Sequence, residues 1–360
     1  MRVAFVRQKY NPYGGAERFI ERAAEVLQRD GTEITLVARD WKPGRARILK
    51  VDPFYVGRLW RDASFARAAR AAWRNAGFDL VQSHERIPGC DLYRAGDGVH
   101  AQWLDYRLAG APALERLALR ASPYHRYVCA AERAMLEHPR LRAVICNSRM
   151  VRGEILKRFA VDENKLYVIY NGVDTEHFRP QPRPDAKQLR LLFVGSGFAR
   201  KGLDTLLQAL AKTDCGLTVV GRDREQARFA ALAERVGVAH RVRFSGGVED
   251  VRPFYADADL LVLPTRYDPF PNVALEALAM GVPALVSEQC GAAEIIGHGE
   301  SGYVCRANDV EQIVGLLGDF ASRREKGEMR EKARRAVEPF SFEAMAGQLR
   351  ALYASLAATI

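Results

Sequence analysis

The sequence predicts an α/β protein with two Rossmann-like domains, each built on a doubly wound parallel sheet. The chain has 360 residues, which is long for one domain. Short apolar runs alternate with amphipathic helical patterns in both halves, as in parallel sheets covered by helices. The pattern restarts after a polar, Pro-rich segment at 179–188, which we interpret as a linker. We therefore expect domains at 1–170 and 171–340, with 341–360 returning to the first domain.

Each half contains several short strand patterns. Strands are predicted in the first half at 2–6, 33–38, 79–83, 143–146 and 165–169, and in the second half at 191–194, 217–220, 242–244, 260–263 and 284–286. Helices are predicted at 16–28, where Gly31 ends the pattern, and at 342–356. Ligands of doubly wound sheets bind beyond the carboxyl ends of the strands, so we expect the two domains to face a ligand cleft.

Composition and net charge limit the classes of protein to which this chain can belong. No apolar run approaches the roughly 18 residues of a membrane span, and no secretory signal fits the first residues. Six cysteines without a CxxC pair predict reduced thiols in the cytoplasm. Residues 1–180 hold 31 Lys and Arg against 21 Asp and Glu, whereas residues 181–360 hold 23 of each. The net charge of +10 therefore lies in the first half and indicates an anionic partner, although solubility alone also explains it.

The segment TRYDPFPNVALEALAMGVPALVS, residues 265–287, is the most informative motif. It reads as a strand end, a loop broken by two prolines, a short helix and a strand. Asp268 lies in the loop and Glu276 lies early in the helix. The amino terminus of a helix favours phosphate, and a carboxylate accepts hydrogen bonds from sugar hydroxyls. The motif therefore favours a nucleotide sugar, although two carboxylates at this spacing are also common on surfaces.

Two glycine-containing loops support a phosphate site. In LLFVGSGFARKG, a strand leads into Gly195 and then into the adjacent cations Arg200 and Lys201, which suit a diphosphate. The alternative is a solvated surface pair, and the loop lacks the ending of a Walker motif. Near the amino terminus, Gly14 and Gly15 precede a helix and allow close approach of an anion, or simply form a turn.

These motifs, with NPYGGAERF at 11–19 and YNGVDTEHFRP at 170–180, resemble retaining glycosyltransferases of family 4, which have the GT-B fold. The similarity covers nearly the whole chain in the same order. HERIPGCDLYRAGD, residues 84–97, further resembles the branch of lipopolysaccharide core glucosyltransferase I. In the family the motif is Glu, seven residues, Glu. This chain has Asp268 at the first position, which leaves the donor-sugar contact open.

The resemblance implies a role for each matching position. Glu276 would hold the ribose, Asp268 would contact the donor sugar, and Gly15 would belong to a loop over the diphosphate bound by the cation pair. The backbone near the sugar and phosphates would come from Phe270, Pro271, Asn272 and Val273. Asp97, at a predicted strand end, would lie near the reacting carbon. Either Asp97 or His100 would orient the acceptor, although an ordinary surface imidazole is the alternative for His100. His84 and Glu85 either touch the acceptor or cap a turn.

The resemblance also implies the reaction. A hexose, glucose from UDP-glucose, would pass with retention to a lipid-linked glycan such as the lipopolysaccharide inner core. No metal or other cofactor is expected, since Arg200 and Lys201 would stabilise the leaving diphosphate. Two alternatives stay open: a nucleotide-sugar epimerase of the same fold, and a non-catalytic membrane-associated protein that binds nucleotide sugars. Turnover of a labelled donor distinguishes them.

Two basic segments bear on the location of the enzyme. At 57–75, Phe65, Ala69 and Trp73 share one helix side opposite several arginines, which favours a core-facing helix over a membrane-binding one. At 103–120, aromatic and leucine residues alternate with arginine, which favours contact with an anionic membrane or acceptor. No nucleic-acid motif accompanies the charge. We expect a peripheral enzyme on the cytoplasmic face of the inner membrane.

Overall fold

The computed structural model describes residues 1–10, 15–29, 31–42, 46–182, 188–323 and 326–358. The chain divides into two compact units, one formed by Met1–Asn171 with Phe342–Ile360 and the other by Gly172–Ser341. Each unit contains one parallel sheet with helices, which confirms the predicted fold class. Of the predicted linker, residues 183–187 lie outside the described part of the chain.

The first unit has a seven-stranded sheet in the order β3-β2-β1-β4-β5-β6-β7. Its strands are β1 (Arg2–Val6), β2 (Glu33–Ala38), β3 (Arg47–Lys50), β4 (Leu80–Ser83), β5 (Leu92–Ala95), β6 (Ala143–Cys146) and β7 (Leu166–Val168). Its helices in this part of the chain are α1 (Gly15–Arg29), α2 (Gly57–Asn75), α3 (His100–Ala109), α4 (Ala113–Ala121), α5 (Pro123–Leu136) and α6 (Arg149–Arg158). The strand order reverses between β1 and β4, and a crevice for ligands is expected at that point of a doubly wound sheet.

The second unit has a six-stranded sheet in the order β10-β9-β8-β11-β12-β13. Its strands are β8 (Arg190–Val194), β9 (Gly216–Val220), β10 (Val242–Gly246), β11 (Leu260–Leu263), β12 (Ala284–Ser287) and β13 (Gly302–Cys305). Its helices are α7 (Leu203–Leu210), α8 (Gln226–Arg235), α9 (Arg252–Asp257), α10 (Asn272–Ala279), α11 (Val310–Ser322) and α12 (Lys326–Ala336). Here the order reverses between β8 and β11.

The last helix, α13 (Phe342–Ala357), belongs to the first unit. Its apolar side packs into the same core as α1 and alternate residues of β1, such as Val3 and Phe5. The other alternate residues, Ala4 and Val6, enter a second core that includes residues of α2 and α5. Successive side chains of a strand point to opposite faces, so the sheet is covered on both sides. The predicted return of the C-terminal helix to the first domain is confirmed.

Two strands, β3 and β13, are not predicted from the sequence, and of β5 only the end near Asp97 is predicted. β5 carries a buried arginine, Arg94, within a run that otherwise resembles a strand. All six cysteines are free thiols. Among the described helices, none combines the length and the apolar character needed to cross a membrane.

Candidate active site

Two loops with predicted donor-binding residues, one after β8 and one after β11, meet where the strand order of the second unit reverses. The loop after β8 carries Arg200, and the loop after β11 begins at Thr265. The Arg200 carbonyl accepts hydrogen bonds from the Thr265 hydroxyl at 3.0 Å and from the Arg266 amide at 2.8 Å. Motifs that lie more than sixty residues apart in sequence are thus joined through backbone at one edge of the sheet.

Asp268 binds both cations of the predicted pair. The Lys201 ammonium donates a hydrogen bond to Asp268 Oδ2 at 2.8 Å, and Arg200 Nη1 lies 3.2 Å from the same oxygen. Lys201 and Asp268 are buried. Burial would raise the pKa of Asp268, but the charges of Lys201 and Arg200 outweigh it and hold that pKa below its usual value. Two cations facing one carboxylate leave this cluster with a net positive charge.

Glycines make room for this arrangement. Gly195 has a φ of +135°, and a Cβ at this position would lie 2.5 Å from Lys201 Cε. Gly202 has a φ of +77°, and its Cβ would lie 2.1 Å from the Pro264 carbonyl oxygen. A side chain at either position would displace the lysine or the loop, so the glycines hold the lysine stem against the end of β8.

Glu276 lies in the second turn of α10 and is buried. The Tyr255 hydroxyl lies 3.0 Å from Glu276 Oε2 and 3.2 Å from the Val273 carbonyl oxygen, so both acceptors are within reach of its single proton. The tyrosine therefore fixes the carboxylate relative to the start of the helix. Pro271 occupies the N-cap position and has no N–H, so its backbone cannot donate a hydrogen bond to a phosphate.

The backbone around Asp268 is also fixed. Its amide donates to the Gln289 carbonyl at 3.1 Å, and its carbonyl accepts from the Gly291 amide at 2.9 Å. The loop after β11 is therefore attached to the segment after β12. Because the backbone N–H and the backbone carbonyl of Asp268 are both hydrogen-bonded, the point from which its carboxylate extends is fixed.

The first unit places Asp97 after β5, next to the end of β1. Arg7 Nη1 donates to Asp97 Oδ2 at 3.0 Å, and Arg7 Nε donates to Glu17 at 3.2 Å. Glu85 lies 3.8 Å from the same guanidinium. Loss of water around Asp97 would raise its pKa, but the charges of Arg7 and Arg86 outweigh this and lower the pKa to about 2. Asp97 is thus ionised at neutral pH, and its side chain remains half-exposed.

The two histidines considered as site residues are both uncharged at neutral pH. His100 Nε2 lies 3.1 Å from His125 Nδ1, and burial together with the charge of Arg86 lowers the pKa of His100 to about 3. His84 is buried beside the Gln82 amide at 2.9 Å, and burial lowers its pKa well below the usual value. Neither is an ordinary surface imidazole.

Other predicted positions are placed as follows. Glu85 accepts a hydrogen bond from the Gln8 amide at 2.9 Å, which ties it to the end of β1. Gly14 lies outside the described residues, and Gly15 is the first residue of α1. Within the described ranges, no group of three or more His, Cys, Asp or Glu side chains is arranged to hold a metal ion. The expectation of a metal-free site stays a prediction.

Comparison with known families accounts for both units. Residues 174–338 match the family described as Glycosyl transferases group 1, and residues 13–177 match Glycosyltransferase Family 4. The chain belongs to the glycosyltransferases of the GT-B fold. The cation pair and Glu276 thus lie in the group 1 domain of this glycosyltransferase, and Asp97 lies in its family 4 domain.

Individual relatives agree with this assignment. The glycosyltransferase is 27% identical over 325 residues to lipopolysaccharide glucosyltransferase WaaG of Escherichia coli (strain K12), a match covering 84% of this chain and 85% of the relative. The crystal structure of WaaG has a TM-score of 0.83 to it at 25% identity, covering 96% of this chain and 98% of that one. Anabaena Alr3699/HepE, solved in complex with UDP-glucose, shares the fold at a TM-score of 0.75 and 18% identity, covering 99% and 100% of the two chains.

Three partners of the predicted residues were not themselves predicted from the sequence: Arg7, Arg86 and Tyr255. Arg7 follows β1 directly and Arg86 is the third residue after β4, so their position near strand ends was the available signal. Tyr255 lies in α9, and no sequence pattern links it to Glu276.

Proposed function

We propose that this glycosyltransferase moves glucose from UDP-glucose, with retention of configuration, onto a lipid-linked glycan such as the lipopolysaccharide inner core. The similarity to a lipopolysaccharide glucosyltransferase and to a fold relative that binds UDP-glucose supports this choice. The observation that carries it is the cluster of Lys201, Arg200 and Asp268 at the carboxyl ends of β8 and β11.

In the proposed donor complex, Lys201 and Arg200 bind the diphosphate. Arginine can bind two phosphate oxygens with its fork, and lysine adds a compact charge. Glu276 accepts hydrogen bonds from the ribose hydroxyls, with its carboxylate steadied by Tyr255. Both cations lie against Asp268 Oδ2, and the other carboxylate oxygen of Asp268 then accepts a hydrogen bond from a hydroxyl of the hexose. Because an aspartate side chain is one methylene shorter than a glutamate side chain, this contact with the hexose lies closer to the cations.

In the proposed reaction, the bond between the sugar C1 and the diphosphate oxygen breaks and a bond from C1 to the acceptor oxygen forms on the same face. The acceptor proton passes to an oxygen of the departing diphosphate. Lys201 and Arg200 stabilise the negative charge that develops on that group. Asp97, ionised at neutral pH, accepts a hydrogen bond from the acceptor hydroxyl and orients it.

We also propose that the first unit docks on an anionic membrane. Several of its apolar side chains are exposed: Phe54 and Val56 just before α2, Leu59 and Trp60 in its first turn, and Leu114 and Leu117 on α4. Arg116 and Arg120 lie exposed on α4 beside the two leucines. Farther along α2, Phe65, Ala69 and Trp73 are buried, as expected for a core-facing stripe. Apolar side chains beside cations suit the interface of an anionic bilayer.

A donor and acceptor assay tests the proposed activity. Purified enzyme is incubated with a lipid-linked core acceptor and, separately, UDP-glucose, UDP-galactose and GDP-mannose. We expect transfer from UDP-glucose and an α-linked product by NMR. A β-linked product would contradict retention, and an isomerised nucleotide sugar would indicate an epimerase. Binding of nucleotide sugars without any turnover would indicate a non-catalytic protein.

Vesicle sedimentation tests the membrane proposal. We expect binding to anionic vesicles that weakens as salt rises, because exposed charges are screened. Leu114→Ser with Leu117→Ser is expected to weaken binding by at least about tenfold, since each leucine loses its apolar burial. Binding to neutral vesicles that equals binding to anionic vesicles at every salt concentration would contradict the electrostatic part.

A further inference from the structure

The carboxylate of Glu132, on α5, is buried and hydrogen-bonds to the first turn of a different helix, α3. Glu132 is 1% exposed. Its Oε1 accepts a hydrogen bond from the His100 amide at 2.8 Å, and its Oε2 accepts one from the Ala101 amide at 3.2 Å. These amides open α3, whose N-cap residue Val99 provides no side-chain cap. First-turn amides have no partner within their own helix, so Glu132 supplies the cap from outside.

Arg86 completes the arrangement from the other side of the same turn. Its Nε donates to Glu132 Oε1 at 2.8 Å, and its Nη2 donates to the Gly98 carbonyl at 2.9 Å. Gly98 has a φ of +69°, in the left-handed region, so the turn depends on glycine and on this contact. Asp97 directly precedes Gly98. The turn that carries Asp97 is therefore held at Gly98 by the arginine and at His100 by the glutamate.

The Glu132–Arg86 ion pair is costly in free energy because it is buried, which indicates that the geometry of the pair has a role. The Glu132 side chain is 2% exposed and the Arg86 side chain is 18% exposed. Removing two charges from water is expensive, and apolar side chains of similar volume often stabilise a protein as well or better. Apolar side chains, however, cannot bind a carbonyl oxygen and two amides at once. The forked guanidinium and the two carboxylate oxygens match these groups one by one.

We propose that Glu132 and Arg86 are positioning residues that hold Asp97 in place for glycosyl transfer. The proposal rests on the proposed function, in which Asp97 orients the acceptor hydroxyl. Neither residue touches the substrates, and both act through the turn at 97–100. A displacement of about 1 Å at a reacting group can cost on the order of a hundredfold in rate, so loosening this turn lowers kcat.

Arg86→Lys is the main test, with Arg133→Lys as the matched control. Lysine keeps the positive charge but has no fork, so it cannot hold Glu132 and the Gly98 carbonyl together. Arg133 lies on α5 and pairs with Glu137 at 3.0 Å on an exposed face. We expect Arg86→Lys to lower kcat about tenfold to a hundredfold while the KM for UDP-glucose and the affinity for UDP stay within twofold. The control is expected to match wild type.

Glu132→Gln provides a second test that keeps the shape of the side chain. Its amide group presents one acceptor in place of two, so we expect the same drop in kcat with unchanged UDP affinity. Melting temperatures and circular dichroism of all variants are measured alongside. Wild-type kcat in both variants would overturn the proposal. So would a fall in kcat that only matches a fall in the folded fraction, which would mean that the pair merely stabilises the fold.

The pH profile separates positioning from charge. Several charged or titratable groups surround Asp97: Arg7 after β1, Glu17 on α1, His84, Glu85 and Arg86 after β4, and Arg94 on β5. Arg86→Lys keeps the positive charge at this position. The acid limb of its kcat–pH profile is therefore expected to coincide with that of wild type, while kcat on the plateau falls. A shifted limb with an unchanged plateau would overturn the positioning role. Inactivity of the wild-type enzyme with every donor would instead reject the proposed function.

Discussion

The two units surround their charged side chains in opposite ways. In the second unit, the Asp268 carboxylate binds two cations, Lys201 and Arg200. In the first unit, Arg7 faces three carboxylates, those of Glu17, Glu85 and Asp97. The cluster of the second unit has a net positive charge, which suits the proposed diphosphate. The cluster of the first unit holds Asp97 ionised, which suits its proposed contact with an acceptor hydroxyl. Two domains of the same fold thus carry clusters of opposite net charge, one for each proposed substrate.

Removing a cation from the second unit is expected to have the largest effect. Lys201→Met leaves the Asp268 carboxylate with a single cationic partner, Arg200, and takes one charge from the proposed diphosphate site. We expect kcat/KM for UDP-glucose to fall about a hundredfold to a thousandfold, the usual scale for a lost group that stabilises developing charge. Lys212→Met removes a surface lysine paired with Glu311 in the same unit and serves as the control. Equal losses in both variants would contradict a specific role for Lys201.

Glu276→Ala is expected to follow in size. The substitution removes the proposed ribose contact and leaves the Tyr255 hydroxyl with the Val273 carbonyl as acceptor. We expect UDP and UDP-glucose to bind at least about tenfold more weakly by calorimetry, as for one lost hydrogen bond to a charged group. Tyr255→Phe, which keeps the carboxylate, should weaken binding less. Kinetics identical to wild type in the alanine variant would remove Glu276 from the site.

Asp268→Asn sharpens the comparison because it should separate binding from catalysis. Loss of the carboxylate leaves both cations unneutralised, so the diphosphate of UDP is attracted more strongly. We expect UDP to bind roughly threefold to tenfold more tightly, whereas kcat falls because the hexose loses a hydrogen-bond acceptor. Weaker UDP binding in this variant would mean that Asp268 mainly holds the cations in position.

Arg7→Met tests the first unit and should have the smallest effect at neutral pH. Arg7 lowers the pKa of Asp97, so its loss raises that pKa toward the ordinary value. The carboxylate then becomes protonated at higher pH, and activity is lost earlier on the acid side. We expect the acid limb of kcat to move up by at least about one pH unit. An unmoved limb would indicate that Asp97 does not titrate in the catalytic step.

The motif at 265–287 could be read from the sequence because its features are local. Its prolines, its helix start at Asn272 and its stop at Gly281 fix a strand, loop and helix without reference to the rest of the chain. The placement of Asp268 in the loop and of Glu276 in the helix follows directly from these local signals. The contact of Asp268 with Lys201 did not follow, because the two residues are 67 positions apart and their loops come together only when β8 pairs with β11 in the folded sheet.

The first unit was harder to predict for the same reason. Arg7 and Asp97 are 90 residues apart, and nothing in either segment marks the other as a partner. The bounds of β5 were not predicted because Arg94 is polar. This arginine is nevertheless buried, with its guanidinium 3.6 Å from the centre of the Phe19 ring and a hydrogen bond to Asn171 at 2.6 Å. Stacking and a hydrogen bond accommodate this charge in a strand, and a single sequence does not show either partner.

A crystal structure of the enzyme with UDP tests the central claim most directly, because the claim concerns where the diphosphate binds. We expect the β-phosphate within hydrogen-bonding distance of Lys201 and Arg200, with the ribose hydroxyls on Glu276. UDP bound away from these three side chains would contradict the assignment of the donor site to the carboxyl ends of β8 and β11.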